Sequence, residues 1–413
     1  MIVGKEFLSR ITRRLHTLYG SDSSRLISRM LMILERYGVY EAHSRSQMNW
    51  SEKDAFLITY GDSIEREHSY SLDVLDEFLD KYVQDAISTV HILPFFYYSS
   101  DDGFSVIDFR SVREDLGSWY HIRKLSKKYK VMGDLVINHA SSQSEWFSDF
   151  VKHTAPACDY FITVDPATDL SQVVRPRDLP LLTEVPTDIG NQHVWTTFSE
   201  DQIDLNFKNP DVLFEFIDIL LWYISQGVSV VRLDAIAYLW KEIGTTSIHL
   251  EQTHEVIKLF RDIVEVVAPH TTLITETNVP HKENVRYFGE GDEAHMVYQF
   301  SLPPLILYTM VFGDATHLIN WAEELEAPQK GCYFFNFTAS HDGFGLRPLE
   351  GIVDQKDTQA LIDCVVERGG RVSMKANSNG VPSPYELNAT WYSALDASDA
   401  FIVERYLCSK FIM

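Results

Sequence analysis

Cysteine is scarce, with 4 in 413 residues. Cys158, Cys332, Cys364 and Cys408 are scattered, with no CxxC pair and no dense framework. That pattern excludes a disulfide scaffold and fits reduced thiols, as in a cytoplasmic protein. Positive charge is also in deficit: 36 Lys and Arg face 59 Asp and Glu, for a net charge of −23. A nucleic-acid binder carries a basic domain or stripe, and none is visible. Such a field repels anions in bulk, so any anionic substrate has to be met by local arginines. Long apolar runs are missing too. No stretch reaches membrane-spanning length, and the first 16 residues, MIVGKEFLSRITRRLH, lack the apolar core of a signal peptide. The chain has no internal repeat, no low-complexity tract and no conspicuous cluster of metal ligands, so neither a membrane span nor a metal site is expected.

What is present is a hydrophobic fraction of 45% and an aromatic fraction of 13%, enough for a large core. Residues 1–50 read as helical; a polar start at 21–24 precedes the amphipathic stretch 25–37, which Gly38 can end. From there strand and helix patterns alternate. The runs 55–60, 88–93, 130–137, 228–233, 271–275, 294–300 and 332–339 are largely apolar on both faces, as buried parallel strands are. The runs 71–83, 119–129, 211–226, 251–267 and 316–326 have helical spacing. This alternation predicts an α/β fold built as a parallel (β/α) barrel.

The interval 140–203 breaks the rhythm. It is long, rich in Pro and Asp and without a strong helix, and it reads as a subdomain inserted after the third strand. The organisation is then an N-terminal helical segment at 1–50, a barrel at 51–139 and 204–413, and the insert at 140–203. No eighth strand is found, and the last residues fall inside a helical pattern that follows Asp399. The barrel is therefore expected to lack its eighth unit and to be poorly stable and weakly active by itself.

Three segments carry the chemistry: VVRLDAI at 230–236, ITETN at 274–278 and TASHDG at 338–343. Each places a carboxylate, Asp234, Glu276 or Asp342, at or just past the end of a β-branched run, where barrel strands present catalytic groups. Three carboxylates at one rim suit glycosidic bond chemistry. Strand alternation puts Arg232 on the same face as Asp234, so a guanidinium keeps that carboxylate anionic, as a nucleophile requires. Asn138 and His139, ending the third strand, are placed to bond hydroxyl groups. Asp101, Asp102 and Phe104 in SSDDGF at 99–104 offer carboxylates for hydroxyls and a ring for stacking. Arg175 and Arg177, flanking Pro176, suit an oxyanion such as phosphate. Arg371 and Lys375 lie on a second stretch that suits an anionic donor.

DLVINH at 134–139, Arg232 to Asp234, Glu276 and His341-Asp342 resemble the four signature regions of the alpha-amylase family. VHILPFF at 90–96, the 99–109 segment, Arg175-Pro-Arg, VWTTFSEDQIDLN at 194–206 and FSLPPL at 300–305 narrow the resemblance to the sucrose phosphorylase subfamily. NVPH at 278–281, GEGDEAHMVYQF at 289–300 and PYELN at 384–388 are most similar to its glucosylglycerate phosphorylase branch. The likeness runs from about residue 55 to the end. It implies a double displacement, in which Asp234 forms a β-glucosyl enzyme, Glu276 serves as acid and then base, and Asp342 stabilises the transition state. Asp101, Phe104, His139, Arg232 and His341 match glucose-site positions. Phe198 and Tyr238 match aromatic positions, and Arg177 matches the position that meets phosphate or the leaving group. The partners implied are a small glucoside and inorganic phosphate, with no metal and no cofactor, and the oligomeric state is left open. Sucrose and sucrose 6-phosphate remain open as donors, as do an α-glucosidase or transglucosylase with the same triad and an inactive relic on the same barrel.

Overall fold

The computed structural model describes residues 4–20, 23–38, 49–177, 179–375 and 382–413. It divides into two compact units: residues 1–174, 179–275 and 292–294 form the first, and residues 175–178, 276–291 and 295–413 the second.

The first unit opens with helices α1 (Lys5–Tyr19) and α2 (Ser23–Tyr37). Residues 39–48, the end of the expected helical segment, lie outside the described residues. Phe7, Ile11, Leu15 and Leu18 recur every three or four positions, so α1 buries one stripe. Five parallel strands follow: β1 (Phe56–Thr59), β2 (Thr89–Ile92), β5 (Lys130–Val136), β10 (Val228–Asp234) and β11 (Thr272–Thr275), adjacent in that order. Between them run α3 (Ser71–Phe78), α4 (Trp119–Leu125), α5 (Glu145–Val151), α6 (Pro210–Ser225) and α7 (Glu251–Val267). The central strand β10 shows why the sheet forms. Val228, Val230, Val231 and Leu233 are buried, so both faces of the strand are covered. Each such side chain contributes about 1.5–3 kcal/mol on leaving water. Asn209 caps α6 by accepting from the Asp211 amide, and Pro210 occupies the first helical position. Gly227, at φ 99°, turns the chain from α6 into β10, where a Cβ would fall 2.4 Å from the Ser126 hydroxyl.

Shorter antiparallel pieces decorate this sheet. β3 (Phe96–Tyr98) pairs with β4 (Val106–Val112), β6 (His139–Ser141) with β9 (Gln202–Asp204), and β7 (Leu182–Thr187) with β8 (Gly190–Trp195). The interval 140–203 thus holds helix α5 and a hairpin, elements that its Pro- and Asp-rich sequence concealed. Docked on the unit, α1 packs along α7. Arg14, buried, reaches Glu255 at 3.3 Å, Asp262 at 3.4 Å and Asp292 at 2.9 Å.

The second unit pairs β12 (Met296–Tyr298) in parallel with β13 (Tyr333–Phe335). It also holds a three-stranded antiparallel sheet in which β16 (Ser383–Asn388) lies between β14 (Phe344–Gly345) and β15 (Arg371–Lys375). Its helices are α8 (His281–Asn284), α9 (Leu302–Phe312), α10 (Thr316–Glu324), α11 (Gln355–Glu367), α12 (Trp391–Ala394) and α13 (Ile402–Ile412). Leu305, Ile306, Phe344, Leu361, Val365, Leu387 and Trp391 centre its core. Every strand run expected from the sequence overlaps one of the parallel strands. Among the described residues no helix is long and apolar enough to cross a membrane.

Candidate active site

In the first unit the residues of interest gather at the ends of β2, β5 and β10. Arg232 and Asp234 are two apart on β10 and face the same way, as the period of a strand requires. Arg232 Nη1 donates to Asp234 Oδ1 at 2.6 Å and, on its other side, to Asp134 Oδ1 at 2.6 Å. Asp134 is also held by His91 Nε2 at 2.7 Å. All four residues are buried. A guanidinium shared between two buried carboxylates favours the charged form of each. Directly after Asp234, Ala235 takes a left-handed turn at φ 49°, and a single 3-10 turn over Ile236–Tyr238 follows it. The guanidinium carbon of Arg232 lies 5.6 Å from the centre of the Phe104 ring.

From Phe104 a continuous set of contacts leads to the other expected residues. His139 Nε2 lies 2.8 Å from the Phe104 carbonyl oxygen, and Asn138 Nδ2 lies 3.2 Å from His139 Nδ1. Burial holds the His139 imidazole below its ordinary range, so it is neutral, with Nε2 donating to that carbonyl and Nδ1 accepting. Its ring stands 5.4 Å from that of Phe198, which meets Tyr238 edge-on at 5.6 Å. Asn138 is committed inside the protein: its amide donates to Asp204 at 3.1 Å and its oxygen accepts from Lys241 at 2.5 Å. Lys241 also pairs with Asp204 at 2.5 Å. Burial draws the Lys241 ammonium below its usual range, opposed by Asp204.

Asp101 and Asp102 both have positive φ, 56° and 49°, in a turn exposed to solvent. Backbone of that kind costs energy for residues other than glycine and persists only where its surroundings hold it. Two residues absent from the sequence reading do the holding. Gln202 Nε2 donates to Asp101 Oδ2 at 2.9 Å. Asp201 Oδ2 accepts from Ser99 at 2.5 Å, Ser100 at 2.5 Å and Ser105 at 2.8 Å, and its Oδ1 accepts from Ser142 at 2.5 Å. Burial alone would raise the Asp201 carboxyl, but these hydroxyls outweigh it and hold the group below the usual range. The alternation of serine and aspartate in SSDDGFS was the available signal.

The second unit assembles the rest. His341 Nε2 lies 3.3 Å from Asp342 Oδ2, and Asn388 Nδ2 donates to the Asp342 carbonyl at 2.8 Å. Gly343, at φ 110°, brings this turn against β16, where a Cβ would sit 2.3 Å from the Leu387 carbonyl. On β16, Glu386 is buried opposite Gly345. Its carboxyl is pushed up to about 8, first by burial and then by Asp342, with Arg177 opposing and Glu276 adding to the rise. Arg177, Glu276 and Asp342, far apart in sequence, therefore act on one buried acid that the sequence reading did not single out. Of the two cations placed on the anionic-donor stretch, Arg371 is exposed on β15, and Lys375 is half-buried and pairs with Glu350 at 3.4 Å. Among the described residues no group of three or more His, Cys, Asp or Glu is arranged to hold a metal.

Residues 76–342 match the family model of the alpha amylase catalytic domain. The chain is 45% identical to a glucosylglycerate phosphorylase of Allomeiothermus silvanus, over 99% of this chain and 74% of that protein. It is 50% identical to a glucosylglycerate phosphorylase of Spirochaeta thermophila, over 87% of this chain and 61% of that one. Among solved structures, sucrose 6F-phosphate phosphorylase from Thermoanaerobacter thermosaccharolyticum superposes with a TM-score of 0.77 at 27% identity, covering 90% of this chain and 75% of that one.

Proposed function

We infer that this chain, which belongs to the alpha-amylase family and shares the (β/α)8 barrel fold of that family's catalytic domain, is a retaining glycoside phosphorylase. It moves an α-glucosyl group from a small glucoside to inorganic phosphate and releases α-glucose 1-phosphate. Glucosylglycerate is the favoured donor, because proteins of that activity are 45% and 50% identical, against 27% for the sucrose 6F-phosphate phosphorylase. The observation that carries the chemistry is the buried carboxylate of Asp234 at a strand end, bonded by Arg232 at 2.6 Å.

In this reading Asp234 attacks the anomeric carbon and the aglycone leaves with a proton from Glu276. Phosphate then attacks the same carbon from the side the aglycone left. The electron pair of the ester bond returns to Asp234, and Glu276 accepts the proton of the incoming acceptor. Two inversions return the α configuration. Asp342 stabilises the charge that develops on the sugar ring. Asp101, Phe104, His139, Phe198, Tyr238 and His341 shape the glucose site, and Arg177 supplies positive charge for phosphate or the carboxylate of the aglycone. The insert at 140–203 contributes to the walls of the site.

The test is phosphate-dependent release of glucose 1-phosphate, with glucosylglycerate, sucrose and sucrose 6-phosphate compared as donors. Release from glucosylglycerate is expected, and Asp234→Asn should lower it at least about 1,000-fold, since it removes the nucleophile. Equal release from all three donors would overturn the donor assignment. Free glucose as the main product, at a rate that ignores phosphate, would replace the phosphorylase with a glucosidase.

A further inference from the structure

Three neighbouring parallel strands, β2, β5 and β10, carry one line of buried polar groups that leads away from the nucleophile. Asp234 bonds Arg232, Arg232 bonds Asp134, and Asp134 bonds His91 at 2.7 Å. Register makes the line straight: Arg232 lies opposite Asp134 across the β5–β10 pair, and His91 lies opposite Met132, two residues before Asp134 on the same face, across the β2–β5 pair. His91 is only 2% exposed and Asp134 fully buried. Nη1 of Arg232 donates to both carboxylates, so the two draw on one guanidinium charge. The hydrogen bond from His91 satisfies part of the demand of Asp134.

We propose that His91 is a positioning residue that sets how much of the Arg232 charge reaches Asp234, and thereby how readily the glucosyl enzyme is broken down. The inference rests on Asp234 as the nucleophile of a double displacement. A buried carboxylate that loses a donor recovers it from the partners it retains. Without His91, Asp134 draws Arg232 toward itself and Asp234 becomes more basic. The two half-reactions respond in opposite senses. A more basic carboxylate attacks the anomeric carbon well but departs from it slowly. When phosphate oxygen bonds to that carbon, the bond to Asp234 breaks and its electron pair returns to a carboxylate that Arg232 now stabilises less. The covalent intermediate accumulates.

The experiment uses the full chain with His91→Gln, His91→Asn and His91→Leu. Glutamine places an amide N–H near the position of Nε2, whereas asparagine reaches only that of Nδ1 and leucine supplies no donor. Each variant is mixed with donor and phosphate and quenched in acid. The glucosylated fraction is read from intact mass, and the two half-reactions are timed separately. Deglucosylation by phosphate should slow about tenfold in the leucine and asparagine variants, the size expected from one hydrogen bond to a charged group. Glucosylation should hold its rate or quicken, the labelled fraction should rise, and glutamine should restore most of the loss. Equal slowing of both half-reactions, or glutamine and asparagine behaving alike, would overturn the proposal. If leucine prevents folding, the glutamine and asparagine pair still decides. A β-configured glucose 1-phosphate product, the mark of a single inversion, would instead remove the double displacement on which the proposal stands.

Discussion

Glu386 is a carboxyl that its surroundings oblige to keep its proton. Burial acts first and Asp342 next, so its folded value of about 8 stands well above the ordinary 4.5. The sign of the consequence follows from linkage. The native state binds this proton more tightly than the unfolded chain does. The stability it contributes is complete below pH 4.5 and is lost as pH rises through about 8. Glu386→Gln mimics the protonated form and removes this dependence. The melting temperature of the variant should exceed that of the wild type by a margin that widens from pH 5 to pH 9, reaching roughly 2 °C or more. A margin that stays constant or narrows would show that the acid is not held protonated. In the sequence Glu386 lay within PYELN, visible only as part of a resemblance. Alternation along that strand sets Glu386 apart from Tyr385 and Leu387, on the side a two-faced strand normally gives to water. The charges that act on it from Asp342 and Arg177 come from positions far away in the chain. Arg232 and Asp234, two apart on one buried strand, needed no such distant information.

At the level of elements, the parallel strands were legible because each is a short apolar run flanked by polar turns, and β10 is the clearest case. The antiparallel sheet of β14, β15 and β16 was not. Its Phe344–Gly345 member has two residues, and Phe344 pairs with Leu387, far along the chain. Helix α9, buried along most of its length, lacks the amphipathic period that reveals a helix and was read as part of a family signature alone. The turn bearing Asp101 and Asp102 shows how one element is fixed by another: β9 and the residue before it supply Gln202 and Asp201, which hold it. Asp201→Ala removes the common acceptor of four serine hydroxyls, and the positive-φ pair then relaxes. The KM for the glucosyl donor should rise about tenfold with a smaller change in kcat, because the loss falls on ground-state positioning of the sugar. A fall in kcat with KM unchanged would place Asp201 elsewhere in the mechanism.

On the scale of the molecule, the acidic excess gives each of the few buried arginines several partners. Arg14 is the extreme case, pairing Glu255, Asp262 and Asp292, with Arg10 also on Asp262 and Lys258 on Glu255. Arg14→Met removes the cation common to these three carboxylates beneath α1. The free energy of unfolding should fall by about 3 kcal/mol, the cost of removing one member from a buried ionic group, and denaturant titration measures it. A loss below about 1 kcal/mol would mean that the helix docks by its apolar stripe alone. The same contact also imposes an order on synthesis. Arg14 leaves the ribosome 278 residues before Asp292. At about 5–20 residues per second that interval lasts roughly 14–56 s. For most of that time a basic, amphipathic helix with Phe7, Ile11 and Leu15 uncovered waits for α7 to emerge, a state in which exposed apolar surface invites aggregation.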